Sequence, residues 1–208
     1  MNLYSRLKHQ ATFAATLLTC LLSIPQAVAA EDAAPTSIQF SDTHYHLVWQ
    51  SNPNPDYSKY EYLPQTQQLP YYHNMMMLER LSNGMTTPQV VQSQVEFITQ
   101  RKQTDPVAQH RLISNEATGE FLLDFLLSAD DPEQGTIIEW NAYRYIPQQG
   151  ENGDDDAVLL LGYSARAYGD EEGRRFLLDL QQSRGQVIQA LVSSGVPQLN
   201  APSAGADH

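Results

Sequence analysis

The sequence predicts an α+β domain in which a central antiparallel sheet of about six strands is packed by two main helices. Several stretches alternate apolar and polar residues with a period of two, as half-buried strands do. Two other stretches repeat apolar residues with the period of a helix. The strands do not alternate regularly with helices, so a parallel βαβ sheet is not expected.

The first half of the domain begins with a predicted strand over residues 37–50, which are rich in Tyr, His and Val. A turn cluster of Asn, Pro and Asp over residues 52–56 separates it from a second strand over 57–63. Pro64 ends that strand, and a third strand is predicted over 74–81.

The first helix is predicted to start at Thr87 as N-cap, with Pro88 in the first helical position. Apolar residues then recur with helical spacing along one stripe, and Asp105 and Pro106 end the helix after about Thr104. The stripe consists of Val91, Val95 and Ile98.

The second half of the domain continues with residues 110–115 and 120–128, which form either one bent strand or a small hairpin. Strands over 136–146 and 157–168 follow, and Asp170 caps a closing helix. Arg184 interrupts the apolar stripe of that helix, so its guanidinium is expected to find a carboxylate or carbonyl acceptor. The stripe consists of Phe176, Leu177, Leu180, Val187, Ile188 and Leu191.

The N-terminal segment has the pattern of a secretory signal peptide. Arg6 and Lys8 precede an apolar run over residues 11–24, and Ala27-Val28-Ala29 forms a cleavage site, so cleavage is expected after Ala29. The alternative is a lipoprotein signal ending at Cys20, but Thr19 is bulky for such a site. The expected organisation is a signal peptide over 1–29, a flexible leader over 30–36, one domain over 37–197 and a flexible tail over 198–208.

Composition limits the classes of partner. The chain has 12 basic and 24 acidic residues, and the loss of Arg6 and Lys8 would move the net charge from −12 to about −14. This acidity disfavours nucleic acid and anionic membrane surfaces as partners of the mature chain. No second apolar run is long enough for a membrane span, so no stable membrane insertion is expected after signal cleavage. Cleavage would also remove Cys20, the single cysteine, and with it any disulfide or thiol chemistry.

The stretch Glu139-Trp140-Asn141-Ala142-Tyr143-Arg144-Tyr145 carries the densest group of chemically useful side chains. On a strand, Glu139, Asn141 and Tyr143 share one face and Trp140 points to the other. Pairing with the strand over 157–168 would bring Arg166 beside Glu139. These four polar residues, Glu139, Asn141, Tyr143 and Arg166, are the candidate ligand-binding residues, either as a polar pocket or as a simple cross-strand ion pair.

Two further patterns are weaker. His44, His46 and His73, with neighbouring methionines, are residue types that suit copper in an exported protein, but no complete ligand template is present. The acidic segment over 151–156 does not match the D-x-[DN]-x-[DN]-G pattern of a calcium loop and has no glutamate at the twelfth position, which favours a solvated hairpin loop. No cofactor is therefore expected.

The order of these elements resembles that of small, uncharacterised secreted bacterial proteins with a PsbP-like fold. The resemblance is carried by KYEYLPQTQQLPYYHNMMML, by EWNAYRY, by LLLGYSARAY and by a closing helix with Arg184. It implies a central antiparallel sheet sandwiched between helices. It implies no activity, because one fold serves unrelated roles.

These observations favour an exported, non-catalytic module in the periplasm or secreted from the cell, which binds an envelope protein or a small ligand. The alternatives are a periplasmic enzyme that uses Glu139 and Arg166, and a copper-binding protein that uses the histidines. No nucleophile of a serine-histidine-aspartate arrangement lies near Glu139 in the sequence, and the sequence contains no phosphate-binding glycine loop and no zinc-binding HExxH motif.

The signal pattern predicts that the mature protein begins at Ala30 and lacks Cys20. N-terminal sequencing of the protein recovered from the cell envelope measures this directly. A lipid attached to Cys20 would instead establish the lipoprotein alternative.

Overall fold

A computed structural model describes residues 34–149, 155–197 and 199. The described chain forms one eight-stranded sheet in which all neighbouring strands are antiparallel, in the order β1-β2-β3-β4-β8-β7-β6-β5. The strands are β1 (Ser37–Phe40), β2 (Thr43–Asn54), β3 (Tyr57–Pro64), β4 (Asn74–Leu81), β5 (Gln109–Asn115), β6 (Glu120–Asp131), β7 (Gly135–Gln149) and β8 (Asp155–Tyr168). The helices are α1 (Thr87–Arg101) and α2 (Asp170–Ser193).

The predicted fold class is wrong, because the sheet has eight strands rather than about six and dominates the structure. The PsbP-like sandwich that the resemblance implied is wrong for the same reason. One added strand arises at Ser41, whose positive φ of 50° turns the chain and splits the first predicted strand into β1 and β2. The other arises because Gln109–Asn115 and Glu120–Asp131 are two full strands of a hairpin and not one bent strand.

The two helices lie on opposite faces of the sheet, which are called here the α1 face and the α2 face. On the α1 face, α1 buries Val90, Val91 and Ile98 against strand residues such as Leu123 and Phe125. On the α2 face, apolar residues of α2 pack against Trp140, Leu161 and their neighbours. Ala34 and Leu199, from the predicted leader and tail, are buried in this second cluster.

The ends of α1 differ slightly from the prediction. The N-cap is Thr86 rather than Thr87, and the side-chain carbonyl of Gln89 accepts a hydrogen bond of 2.9 Å from the Thr86 N–H. The helix ends at Arg101, and Asp105 then joins the chain to β6 by accepting hydrogen bonds from the N–H and hydroxyl of Ser128. Burial alone would raise the pKa of Asp105, but these hydrogen bonds, with those from Arg101 and Val107, lower it.

The carboxylate of Asp124 lies deep in the α2 face and is 1% exposed. The Trp140 indole N–H donates to Asp124 Oδ1 at 2.6 Å. Arg184 of α2 contacts Asp124 Oδ2 through Nε at 2.8 Å and Nη2 at 2.7 Å. Of the two acceptors predicted for Arg184, a carboxylate or a carbonyl, the structure shows a carboxylate, that of Asp124 on β6.

A second arginine, Arg144 of β7, binds the C-terminal end of α2. Arg144 Nε donates to Glu120 Oε2 at 2.8 Å, and its Nη1 donates to the carbonyl oxygen of Ser194 at 2.9 Å. The last carbonyls of a helix have no partner within the helix. The Arg144 guanidinium supplies a donor to one carbonyl at this end, which would otherwise need water.

We expect Arg184→Ala to lower the free energy of unfolding by about 3 kcal/mol, because it leaves a buried carboxylate without its cation. The value lies at the low end of the range for buried pairs because the Arg184 side chain is 32% exposed. Chemical denaturation measures the change.

Arg175→Ala is the matched control on the same helix. Its partner Glu171 is 86% exposed, so its loss should cost less than about 1 kcal/mol. Equal effects of the two substitutions would mean that the Asp124–Arg184 contact does not stabilise the fold.

Candidate functional site

All four candidate ligand-binding residues lie on the α1 face at neighbouring positions of β7 and β8. Glu139 is paired in register with Arg166, Asn141 with Ser164, and Tyr143 with Gly162. The expected antiparallel pairing of the two strands is confirmed, and Trp140 points to the opposite face and is 1% exposed.

Glu139 and Arg166 form an ion pair through Arg166 Nε and Glu139 Oε2. Their side chains are 15% and 11% exposed, so the pair lies largely out of solvent. Asn141 Nδ2 donates to the other carboxylate oxygen, Oε1, at 3.0 Å, and the Ser164 hydroxyl donates to Asn141 Oδ1. Both oxygens of Glu139 are therefore occupied by donors.

Tyr72 covers this ion pair from the loop between β3 and β4. Its hydroxyl donates to Glu139 Oε2 at 3.2 Å, and the Arg166 guanidinium carbon lies 4.2 Å from the centre of its ring. Tyr168 holds Tyr72 in place, since its hydroxyl accepts from the Tyr72 N–H at 2.9 Å and donates to the Tyr72 carbonyl at 2.6 Å. The name Glu139 cluster is used below for Glu139, Asn141, Ser164, Arg166 and Tyr72.

Tyr143 lies beside the Glu139 cluster and its ring crosses Gly162 on the neighbouring strand. A Cβ added to Gly162 would stand 3.1 Å from Tyr143 Cδ1 and 3.2 Å from Met77 Cε, so glycine provides the space for this ring. Burial, followed by the negative charges of Glu139 and Glu79, raises the pKa of the Tyr143 hydroxyl well above its usual value. The phenol therefore stays protonated at neutral pH.

A second polar group lies further along the same face on β3 and β4, and sequence reasoning missed it. Lys59 Nζ lies 3.2 Å from Glu61 Oε1 and 3.4 Å from Glu79 Oε1, and the Tyr57 hydroxyl donates to Glu79 Oε2 at 3.1 Å. Burial and the charge of Glu79 raise the pKa of Tyr57. These residues pair across strands that the sequence did not show to be neighbours. The name Lys59 cluster is used for Tyr57, Lys59, Glu61 and Glu79.

The Glu139 cluster holds a carboxylate and a guanidinium in fixed positions, from which they can bind and position other groups. Glu139 Oε1 accepts from Asn141, and Oε2 accepts from Arg166 and Tyr72. The Ser164 hydroxyl donates to the side-chain amide oxygen of Asn141.

The histidines do not form a metal site within the described part of the chain. No group of three or more His, Cys, Asp and Glu side chains there is arranged to hold a metal ion. His73 Nδ1 lies 3.2 Å from the Arg166 carbonyl and 3.5 Å from Glu172 Oε1, while His46 is paired in register with Leu63. The signal segment and the acidic connection over 150–154 lie outside the described residues.

The fold and the site define the protein as a sheet-dominated domain with a helix on each face and a polar cluster held between strands. The chain belongs to an uncharacterised protein family, whose family model matches residues 33–196. No curated protein matches the chain. Neither described helix has the length and apolar character needed to span a bilayer.

We expect Glu139→Gln to lower the free energy of unfolding by about 1.5–3 kcal/mol, because hydrogen bonds to a charged group are lost from a largely buried site. This is more than an exposed cross-strand pair would contribute. The measurement is chemical denaturation.

Glu171→Gln serves as control, since that carboxylate is 86% exposed and should change stability by less than about 0.5 kcal/mol. If Glu139→Gln were as mild as the control, the ion pair would be an incidental surface contact.

Proposed function

We propose that the protein is an exported, non-catalytic module that binds an envelope protein or a small ligand in the periplasm. The observation that carries this proposal is that Arg166, Asn141 and Tyr72 together donate to both oxygens of the Glu139 carboxylate. A carboxylate and a guanidinium held in this way can recognise other groups by charge and hydrogen bonding. The N-terminal signal pattern supports export.

The Glu139 cluster is the proposed binding site because its cover is a loop. Elsewhere on the α1 face, strand residues such as Phe125 and Leu160 are covered by α1. Over Glu139 and Arg166, the cover is the Tyr72 side chain, which comes from a segment outside the helices and strands. Displacing Tyr72 would break its packing against Leu63, Met75 and Met77 and its hydrogen bonds to Tyr168, but this cover lies outside the helices and strands.

The contacts of Tyr72 indicate which ligand chemistry the site would accept. Tyr72 gives a hydroxyl donor to Glu139 and a flat ring face to Arg166. A ligand that replaces it must offer the same two features, so we propose a partner with an aromatic or ring-shaped group that carries a hydroxyl. The acidity of the chain, with a net charge of −12, disfavours nucleic acid and anionic lipid as that partner.

Capture from the native envelope tests this proposal. The immobilised mature protein is compared with Tyr72→Ala, which uncovers the cluster, with Glu139→Gln, which removes its charge, and with the exposed control Glu171→Gln. We expect Tyr72→Ala to retain more of the partner than the parent protein and Glu139→Gln to retain less. Thermal melting of each variant confirms that it is folded.

Equal capture by all four proteins would contradict binding at the Glu139 cluster. A small molecule that the parent protein converts and Glu139→Gln does not would contradict the non-catalytic assignment and support a periplasmic enzyme.

A further inference from the structure

Arg80 on β4 is the one arginine of the described chain that is buried, with 6% of its surface exposed. Alternate residues of a strand share a face, so Arg80 lies on the α2 face with Leu78. Its neighbours across the sheet are Ser58 on β3 and Leu159 on β8, which are 7% and 2% exposed. A permanent positive charge therefore lies in a closely packed and mostly apolar part of the sheet.

This charge has no counter-charge among the described residues. Arg80 Nη1 donates to the Ser82 hydroxyl oxygen at 2.8 Å, while Nε is buried and has no hydrogen-bond partner. None of the ion pairs in the described part of the chain includes Arg80. The partly buried arginines differ in this respect, since each of them pairs with a carboxylate: Arg101 with Asp105, Arg144 with Glu120, Arg166 with Glu139 and Arg184 with Asp124.

The free edge of the Arg80 guanidinium has the geometry of an anion site. Arginine stays protonated in proteins, and a cation taken out of water without a partner is strongly destabilising. The Ser82 contact holds Nη1 and leaves the edge that carries the Nε–H for another acceptor. A carboxylate suits such an edge, because its two oxygens accept from two parallel N–H groups of a guanidinium.

An anion can reach this edge from the end of β4. The hydrogen bond to Ser82 shows that the side chain extends along the α2 face toward the last residue of the strand, Leu81. Ser82 is half-buried, and Asn83 and Gly84, which follow it, are exposed. The guanidinium is therefore buried beside a surface turn and not in the centre of the sheet.

We propose that Arg80 binds the carboxylate group of a small ligand, with Ser82 as the residue that positions its guanidinium. A carboxylate carries one negative charge, which balances the one charge of Arg80. A phosphate monoester carries about −1.5 to −2 at pH 7, which would leave excess charge beside Leu78 and Leu159. This site lies on the α2 face and is separate from the Glu139 cluster, which lies on the α1 face.

Thermal melting in acetate tests the proposal, because a ligand that binds the folded state raises the melting temperature. The mature protein is melted in increasing sodium acetate, with sodium chloride keeping the ionic strength constant. We expect a saturable rise of about 2–4 °C once acetate exceeds its Kd several-fold. Sodium phosphate at the same pH and ionic strength should give a smaller rise.

Arg80→Met removes the charge and keeps a long apolar side chain. It should abolish the effect of acetate, and in chloride alone it should melt no lower than the parent protein, because it removes an unpaired buried charge. Arg175→Met is the matched control, since the Arg175 side chain is 68% exposed and its loss should leave the acetate effect intact. Ser82→Ala should weaken acetate binding several-fold, as measured by titration calorimetry.

The absence of a saturable rise in the parent protein would overturn the proposal, as would an equal rise in Arg80→Met. A large fall in the melting temperature of Arg80→Met in chloride would show that a carboxylate of the chain already pairs with Arg80, which would also overturn it. A larger effect of phosphate than of acetate would overturn the assignment to a carboxylate. Unchanged acetate affinity in Ser82→Ala would overturn the positioning role of Ser82.

Discussion

The buried carboxylate of Asp124 constrains how the sheet and α2 fit together. An ionised carboxylate removed from water costs several kcal/mol unless donors satisfy it, and here the donors are the Trp140 indole and the Arg184 guanidinium. One donor lies on the neighbouring strand β7 and the other on α2. A shift of either element by one residue would leave this charge unpaired among apolar side chains. The register of β6 and β7 and the rotation of α2 are therefore fixed together.

This constraint also decides what lies on the opposite face. Because Trp140 points toward α2, the alternation of the strand sends Glu139 and Asn141 to the α1 face. Their polar groups need hydrogen-bond partners within the protein, since the Glu139 and Arg166 side chains are only 15% and 11% exposed to water. The partners come from the next strand and from the Tyr72 loop. The polar residues around Glu139 are thus tolerated in the middle of a large sheet because each Glu139 oxygen has a donor.

The sequence predicted those features that depend on local alternation or on adjacent strands. It assigned the two faces around Trp140 correctly and paired Glu139 with Arg166, because β7 and β8 follow each other in the chain and pair antiparallel. It did not predict that Tyr72 would reach Glu139, since that contact requires β4 to pair with β8 across a long sequence separation. The Lys59 cluster was missed because its residues alternate on two strands with no motif. The extra strand β1 was missed because Ser41, a residue with no strong turn signal, adopts a positive φ.

The order of the elements explains why the Glu139 cluster lies where it does. The chain forms four strands and a helix, and then four strands and a helix again, and the last strands of the two units, β4 and β8, pair in the centre of the sheet. Both helices pack mainly on the second unit, from opposite faces. The first unit is therefore attached chiefly through the β4–β8 pairing and through side chains that cross it. Tyr72 belongs to the first unit and contacts Glu139 of the second. In the same way, Met77 of the first unit and Tyr143 of the second both lie close to Gly162. A ligand that displaced Tyr72 would thus both fill the polar site and loosen one of the connections between the two units.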